Sequence, residues 1–431
     1  MVSYSIADTR SRQDDHDSSA ETNSAIADKA YSTRKFEDFK VFLIALVGFL
    51  LVANVPVNLN NQLNIRASDL VAVTVLSLWC FGPLRIASSA GVLMIGIGIM
   101  TAPAAGLVHD MMSGNMEAVI FPGSLLIYLP AAAFLFWMID TDRRLSAFLL
   151  GIFIGALVVA TFAAAQKLGI VSNSNFLTPV GSEVIWAPDG SIRHSAIWEH
   201  PNELMQVQTV AACSVLAYRR TEKLSLLRML AFLGIVALTY FATQTRAGVV
   251  IALAAIFLYM VTSRIGIIQW MVTYGIFCSL VLLFSFPEEI LGPRWVGGDG
   301  SLSALDNISQ RFRTAIGSLG ISMTHPLGLG LDARRDAIYE LTGSPASHNS
   351  FASLGIAYGI FWLLLVCVPI FIRLWQYAVQ RPSSFSVFIP FLVALLMLSI
   401  EDSVFSPSML FLALVLFFLS GLRTPQFSQS R

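Results

Sequence analysis

Apolar runs long enough to cross a bilayer recur along nearly the whole of this 431-residue chain, and they leave it few ways to fold. They lie near residues 41–57, 68–84, 87–108, 118–139, 146–166, 203–218, 227–244, 247–262, 267–286, 349–372, 384–400 and 405–422. A helix needs about 20 apolar residues to cover the hydrocarbon thickness, and shorter runs borrow interfacial residues. In lipid every backbone polar group must bond within its own segment, so the runs are read as helices. Charged residues make up 13% of the chain, where a soluble domain carries about 25%. The expected fold class is therefore an all-α integral membrane protein with about 12 transmembrane helices. Residues 1–36 hold no apolar run and are expected to form a disordered cytoplasmic tail. No small-residue cleavage pattern follows the first apolar run, which argues against a cleavable signal peptide. Residues 37–423 make up the polytopic membrane domain, and 424–431 a short second cytoplasmic tail.

Charge sets the orientation. With the N-terminus inside, the inner segments hold 18 of the 27 Lys and Arg residues. Short outer turns are almost bare of positive charge, Arg66 being the exception. The positive-inside rule then gives N-in and C-in. Two outer loops are long, at about 167–202 and 287–348. Functional residues concentrate in long loops held by a rigid scaffold, so chemistry is expected on the external face. The zero formal net charge gives no reason to expect a nucleic-acid partner. Cys80, Cys213, Cys278 and Cys367 all fall in apolar runs without metal-site spacing, and they read as small hydrophobes.

The first long loop ends in Arg193-His194-Ser195-Ala196-Ile197-Trp198-Glu199-His200-Pro201-Asn202-Glu203. Pro201 and Asn202 form a helix start, with Asn202 as the expected N-cap, and Arg193 or Asn202 touching a ligand is the competing reading. At Thr243-Gln244-Thr245-Arg246-Ala247-Gly248 two spans meet almost without a loop, which puts Arg246 at the outer surface. Arginine there is costly unless paired and marks function, with snorkelling as the bland alternative.

In the second loop, Leu302 to Met323 reads as an amphipathic helix. Leu305, Ile308, Phe312, Ala315, Ile316 and Leu319 follow helical spacing. Arg311 and Arg313 flank that stripe about 200° apart, so at most one enters a site directly. A guanidinium clamps two phosphate oxygens at once, which suits a diphosphate. His325-Pro326-Leu327-Gly328-Leu329-Gly330 reads as a tight, close-packed turn, and Arg334 and Arg335 as solvated. At Ser347-His348-Asn349 a histidine stands at a helix start, where the helix dipole disfavours its protonated form and leaves it suited to act as a general base. Asn349 is either part of that site or a structural cap. Glu401 and Asp402, at the outer end of the next-to-last span, could orient His348, contact an acceptor, or only be solvated. No Walker motif, H-E-x-x-H or zinc-type Cys/His cluster is present, so no metal or cofactor is expected.

In order, spacing and common sidedness these elements resemble the O-antigen ligase and O-antigen polymerase superfamily. The residues carrying the resemblance are the T-x-T-R-A-G turn, Arg311 in a long outer loop, H-P-L-G-L-G, S-H-N, and a following span with Gly355 and Gly359. His200-Pro201-Asn202 is similar to that family's Pro-Asn element. The family commonly reads Ser-Arg-Gly where this chain has Thr245-Arg246-Ala247, a departure that keeps the arginine.

The resemblance implies a metal-independent, inverting C-type glycosyltransferase in a bacterial inner membrane, its active site facing the periplasm. Its donor would be an undecaprenyl-diphosphate-linked glycan. Arg246 and Arg311 would hold the diphosphate, with Arg313 competing for the second place, and His348 would deprotonate the acceptor sugar. The acceptor is a lipid-linked repeat unit in a polymerase or the lipid A core in a ligase. Polymerisation of exopolysaccharide or O-antigen is the preferred reading. Membrane lipid, a chain-length regulator and a flippase are the expected partners. A polysaccharide-precursor transporter is the alternative of another class.

Overall fold

The computed structural model describes residues 35–59, 63–80, 117–139, 141–172, 185–186, 192–198, 200–217, 226–262, 275, 304–342, 349–380, 385–400 and 407–420. The expected span at 87–108 lies outside them, as do residues 1–34 of the expected first tail, all of the second, and all of 267–286 except Gly275; residues 35 and 36, expected in the disordered tail, already belong to the first helix. Helix dominates, as apolar runs of this length require. Helix α1 covers residues 35–53, α2 Ala67–Cys80, α3 Glu117–Met138 and α4 Asp142–Lys167. Then come α5 Pro201–Ala217, α6 Leu226–Thr243 and α7 Arg246–Thr262. The second long loop supplies α8 Ala304–Thr324 and α9 Leu331–Thr342. They are followed by α10 Ser350–Gln380, α11 Phe385–Ile400 and α12 Pro407–Ser420. Asp142–Lys167 and Ser350–Gln376 are long and apolar enough to cross a membrane, and several shorter helices are equally apolar.

Two short antiparallel pairs depart from the all-α expectation. Strand β1 (Pro56–Leu59) pairs with β2 (Leu63–Arg66), and β3 (Ile185–Trp186) with β4 (Ile192–Arg193). The first pair ends α1 before the expected residue 57. Asn54 turns the chain at φ 34°, and its side-chain oxygen accepts from the Ser68 N–H at 3.3 Å. Asp69 reaches back to the Arg66 N–H at 2.9 Å, the reciprocal half of a capping box, and also accepts from the Tyr128 hydroxyl. The start of α2 is thus fixed by α1, the hairpin and α3 together.

Small residues set the helix crossings. A Cβ added at Gly151 would lie 1.9 Å from the Ala45 carbonyl oxygen, and one at Gly48 2.4 Å from that of Phe148. With Gly155 four residues further on, α4 presents a G-x-x-x-G face on which α1 rests backbone to backbone. At the entrance of the same two helices Arg144 pairs with Glu37 and Arg143 with Asp38, each at 2.6 Å. The Arg144 hydrogen bond, followed by that of Lys40, holds the Glu37 carboxyl below its ordinary range.

Helix α5 is the axis of the bundle. It packs against α4, α6, α7 and α11, and every residue from Leu204 to Ala217 is buried. Large apolar side chains stand exposed on the helices around it, among them Phe42 on α1, Ile154 on α4, Phe241 on α6, and Phe361 and Phe371 on α10.

Helix α10 is broken at Gly359, where φ is 87° and ψ 174°. The break frees carbonyls at the end of the first half. The His325–Gly330 turn takes them up: Leu329 N–H donates to Ile356 at 2.9 Å and Gly330 N–H to Ala357 at 3.0 Å. A Cβ on Gly328 would sit 2.1 Å from the Ala357 oxygen, and one on Gly359 2.1 Å from that of Pro326. The expected tight turn is therefore a turn built onto a broken helix. Helix α9 is an element that apolar periodicity did not announce, because its face is charged.

Candidate functional site

The residues at the start of α5 come together through Arg193. Strand β4 carries it, β4 is tied to the end of α4 by Lys167 Nζ donating to the Ile192 carbonyl at 2.9 Å, and the next residue, His194, donates its N–H to Ala242 at 3.0 Å. The Arg193 guanidinium then reaches three oxygens. Its Nε donates to the Thr243 carbonyl at 2.7 Å, and one Nη donates to Asn202 Oδ1 at 2.7 Å and Thr245 Oγ1 at 2.8 Å. Thr245 Oγ1 also donates to Asn202 Oδ1, at 3.0 Å. Loop, helix start and helix–helix turn thus close on one fork-shaped cation, a geometry that lysine cannot reproduce.

This arrangement corrects the reading of Asn202 as a cap. Helix α5 begins one residue earlier, with Pro201 in the first position, where its missing N–H costs nothing. The ring of His200 does the capping, its Nδ1 accepting from the Asn202 N–H at 3.1 Å. Asn202 is left to turn its amide oxygen to Arg193 and Thr245.

The turn they hold is tight. Only Gln244 and Thr245 separate α6 from α7, and Gln244 sits at φ 53°, a left-handed conformation unusual for a side chain of its kind. Gly248 lets α7 come down onto α5, since a Cβ there would be 2.3 Å from Met205 Cγ and 3.0 Å from Thr209 Oγ1. Arg246, half-buried, is the first residue of α7 and follows directly on Thr245. Two arginine-bearing segments therefore meet at one helix end, which suits an anionic group.

His194 is buried, and that burial, with the charge of Lys167, pushes its imidazole below the ordinary histidine range. It stands beside the cluster as a neutral ring. Among the described residues no group of three or more His, Cys, Asp or Glu side chains is placed to hold a metal.

Arg311, Arg313 and Asn349 stand at other elements. Arg311 is half-buried and Arg313 exposed on α8, which packs against α9 and α10, whereas α7 packs against α5, α6 and α11. Asn349 takes the cap reading: its Oδ1 accepts from the Ala352 N–H at 2.9 Å and its carbonyl from that of Ser353 at 3.0 Å. His348, Glu401 and Asp402 lie outside the described residues. Thr243, Thr245 and Gly248 are parts of the cluster to which the motif had assigned no role. Their signal was the run of small residues on either side of Arg246. No family model matches the chain, and no curated protein matches its sequence.

Proposed function

We propose that this chain is an inner-membrane protein of about twelve spans, N-in and C-in, that transfers an undecaprenyl-diphosphate-linked saccharide to a sugar hydroxyl on the external face. Support for the membrane setting comes from 55% hydrophobic composition, two helices of spanning length and apolar outward faces. The pairing of Glu37 and Asp38 with Arg143 and Arg144 sets the start of α1 and the start of α4 on one side, as expected of the inner face. The observation that carries the chemistry is the Arg193–Asn202–Thr245 cluster. It joins the Pro-Asn element to the T-x-T-R turn, two of the motifs that carry the resemblance.

In this reading Arg246 and Arg311 hold the diphosphate and stabilise the charge that grows on it as the anomeric C–O bond breaks. His348 accepts the proton of the attacking hydroxyl. Attack opposite the leaving diphosphate inverts the anomeric centre. Polymerisation of repeat units is preferred, and ligation to the lipid A core is the alternative acceptor. A precursor transporter is the second reading. It draws on the break in α10 and on the buried Gln206 Oε1 and Gln208 amide, which find no hydrogen-bond partner among the described residues, because transporters place discontinuous helices and polar groups deep in the membrane.

Glycan analysis decides, in a deletion strain complemented with wild type, His348→Ala or Arg246→Ala at matched membrane levels. Loss of polymer with single repeat units persisting is the polymerase outcome. Long lipid-linked polymer that never reaches the lipid A core is the ligase outcome. Normal glycan from either variant removes the transferase assignment and leaves the transporter.

A further inference from the structure

Helix α8 wears its polarity inside out. Thr314, Ser318 and Ser322, spaced four apart, are 2%, 0% and 1% exposed. The two serine hydroxyls are spent within the helix, donating to the Thr314 and Ser318 carbonyls at 2.6 and 2.7 Å. This small polar row is the face laid on α10, where a Cβ added at Gly355 would lie 2.8 Å from Ser322 Oγ. Ile316, Leu319 and Met323 leave the opposite side at 59%, 41% and 62% exposure. A helix between protein and water shows the reverse arrangement, with its apolar stripe turned inward.

The exposed row does not stop at the helix. Leu327 is exposed at the turn, between Pro326 and Gly328, which abut Gly359 and Ala357; Phe361 and Leu364 are exposed just beyond on α10, one of the two helices of spanning length and composition. From Thr314 to Leu331 there is no Asp, Glu, Lys or Arg. The turn itself is irregular backbone, which lipid tolerates only where protein satisfies it. Here the freed carbonyls of Ile356 and Ala357 do so.

We infer that the α8–α9 hairpin is seated in the outer leaflet of the bilayer, with Ile316, Leu319, Met323 and Leu327 against lipid acyl chains. Continuity with the exposed face of α10 identifies the occupant as lipid. Depth is bounded by α9. Arg335 and Asp336 are exposed four and five residues past Leu331, so the turn lies about one to two helical turns below the headgroups. Arg313, exposed one turn before Ile316, belongs at the level of the lipid phosphates. Residues 304–342 are then a membrane-seated hairpin and not a water-facing lid. This inference rests on the membrane and sidedness reading proposed above, but not on the transferase chemistry.

The test uses the full chain in phosphatidylcholine–phosphatidylglycerol vesicles. Cys80, Cys213, Cys278 and Cys367 are replaced by alanine, and a nitrobenzoxadiazole label is placed at Ile316→Cys, Leu319→Cys or Met323→Cys. The expected result is blue-shifted emission quenched by nitroxide-bearing lipid and insensitive to aqueous iodide, with the opposite behaviour at Asp336→Cys. Iodide quenching at the three α8 positions overturns the inference. Shielding from both quenchers also overturns it, because protein would then cover the stripe. Phe371→Cys on α10 separates the two levels: if it escapes lipid quenching the membrane reading falls, and if it alone is quenched only this inference falls. Hydroxyl-radical footprinting of the unsubstituted chain reads the same question without a variant. Met323 is expected to be protected in vesicles while Tyr339, 59% exposed on α9, is modified. Equal modification of both overturns the hairpin's seat in lipid.

Discussion

Arg193 shows how much of the structure at the start of α5 hangs on one side chain. Its three acceptors are neutral oxygens from two separate segments, and losing it leaves them desolvated together. Arg193→Ala is expected to lower stability by about 2–3 kcal/mol, and Arg193→Lys to recover little of that, because an ammonium cannot span the fork. Thermal unfolding of the purified protein in detergent measures both. His194, the next residue, carries a pH dependence whose sign follows from its environment. A ring held neutral by burial and by Lys167 binds fewer protons folded than unfolded. Stability should therefore rise with pH through the window between its depressed folded value and the unfolded value of about 6.5, and be lost on acidification. Melting curves across that window, repeated with His194→Gln, should show the slope shrink in the variant. Neither role was legible beforehand. The hydrogen bonds of Arg193 reach residues 9, 50 and 52 positions away, and local patterning carries no information about such distances.

Among the elements, α10 and the His325–Gly330 turn are a matched pair. The turn was expected from its glycines, and the helix from its apolar run. Their mutual dependence appears only where the Gly359 break hands its carbonyls to the turn. Gly359→Ala should cost about 3 kcal/mol or more, since φ 87° with ψ 174° is open essentially to glycine alone and the added carbon would meet the Pro326 oxygen at 2.1 Å. Gly234→Ala on α6 is the contrast. Nothing lies within 4 Å of its added Cβ, so it should be neutral or gain about 0.5–1 kcal/mol. Comparing the two melting temperatures tests whether the break is a required feature. The exchange of cap roles at α5 has a similar origin. Asn202 has the better intrinsic cap chemistry, but Arg193 and Thr245 engage its oxygen, and the adjacent imidazole takes its place.

At the scale of the whole molecule, burial of α5 leaves Gln208 about 1% exposed, with neither amide atom partnered among the described residues. An unsatisfied buried amide is costly, so Gln208→Leu should raise stability by about 1–2 kcal/mol, read by thermal unfolding. A loss instead would mean that the amide serves a bound polar molecule inside the bundle. The sequence by itself determined that the chain is built from helices, and roughly where most of the described ones begin and end. Those properties follow from apolar run length and composition, which are local. It also marked Arg246 and Asn202 as residues of interest and the second loop as amphipathic. Only the tertiary structure decided that Arg193 joins the first long loop to the Arg246 turn, and that His200 rather than Asn202 caps α5. It alone decided that α8 turns its serines inward and its isoleucine, leucine and methionine outward. Periodicity finds the stripe on a helix but not the direction it faces. That direction is set by the neighbour on which the helix packs, and here the neighbour accepts only small side chains.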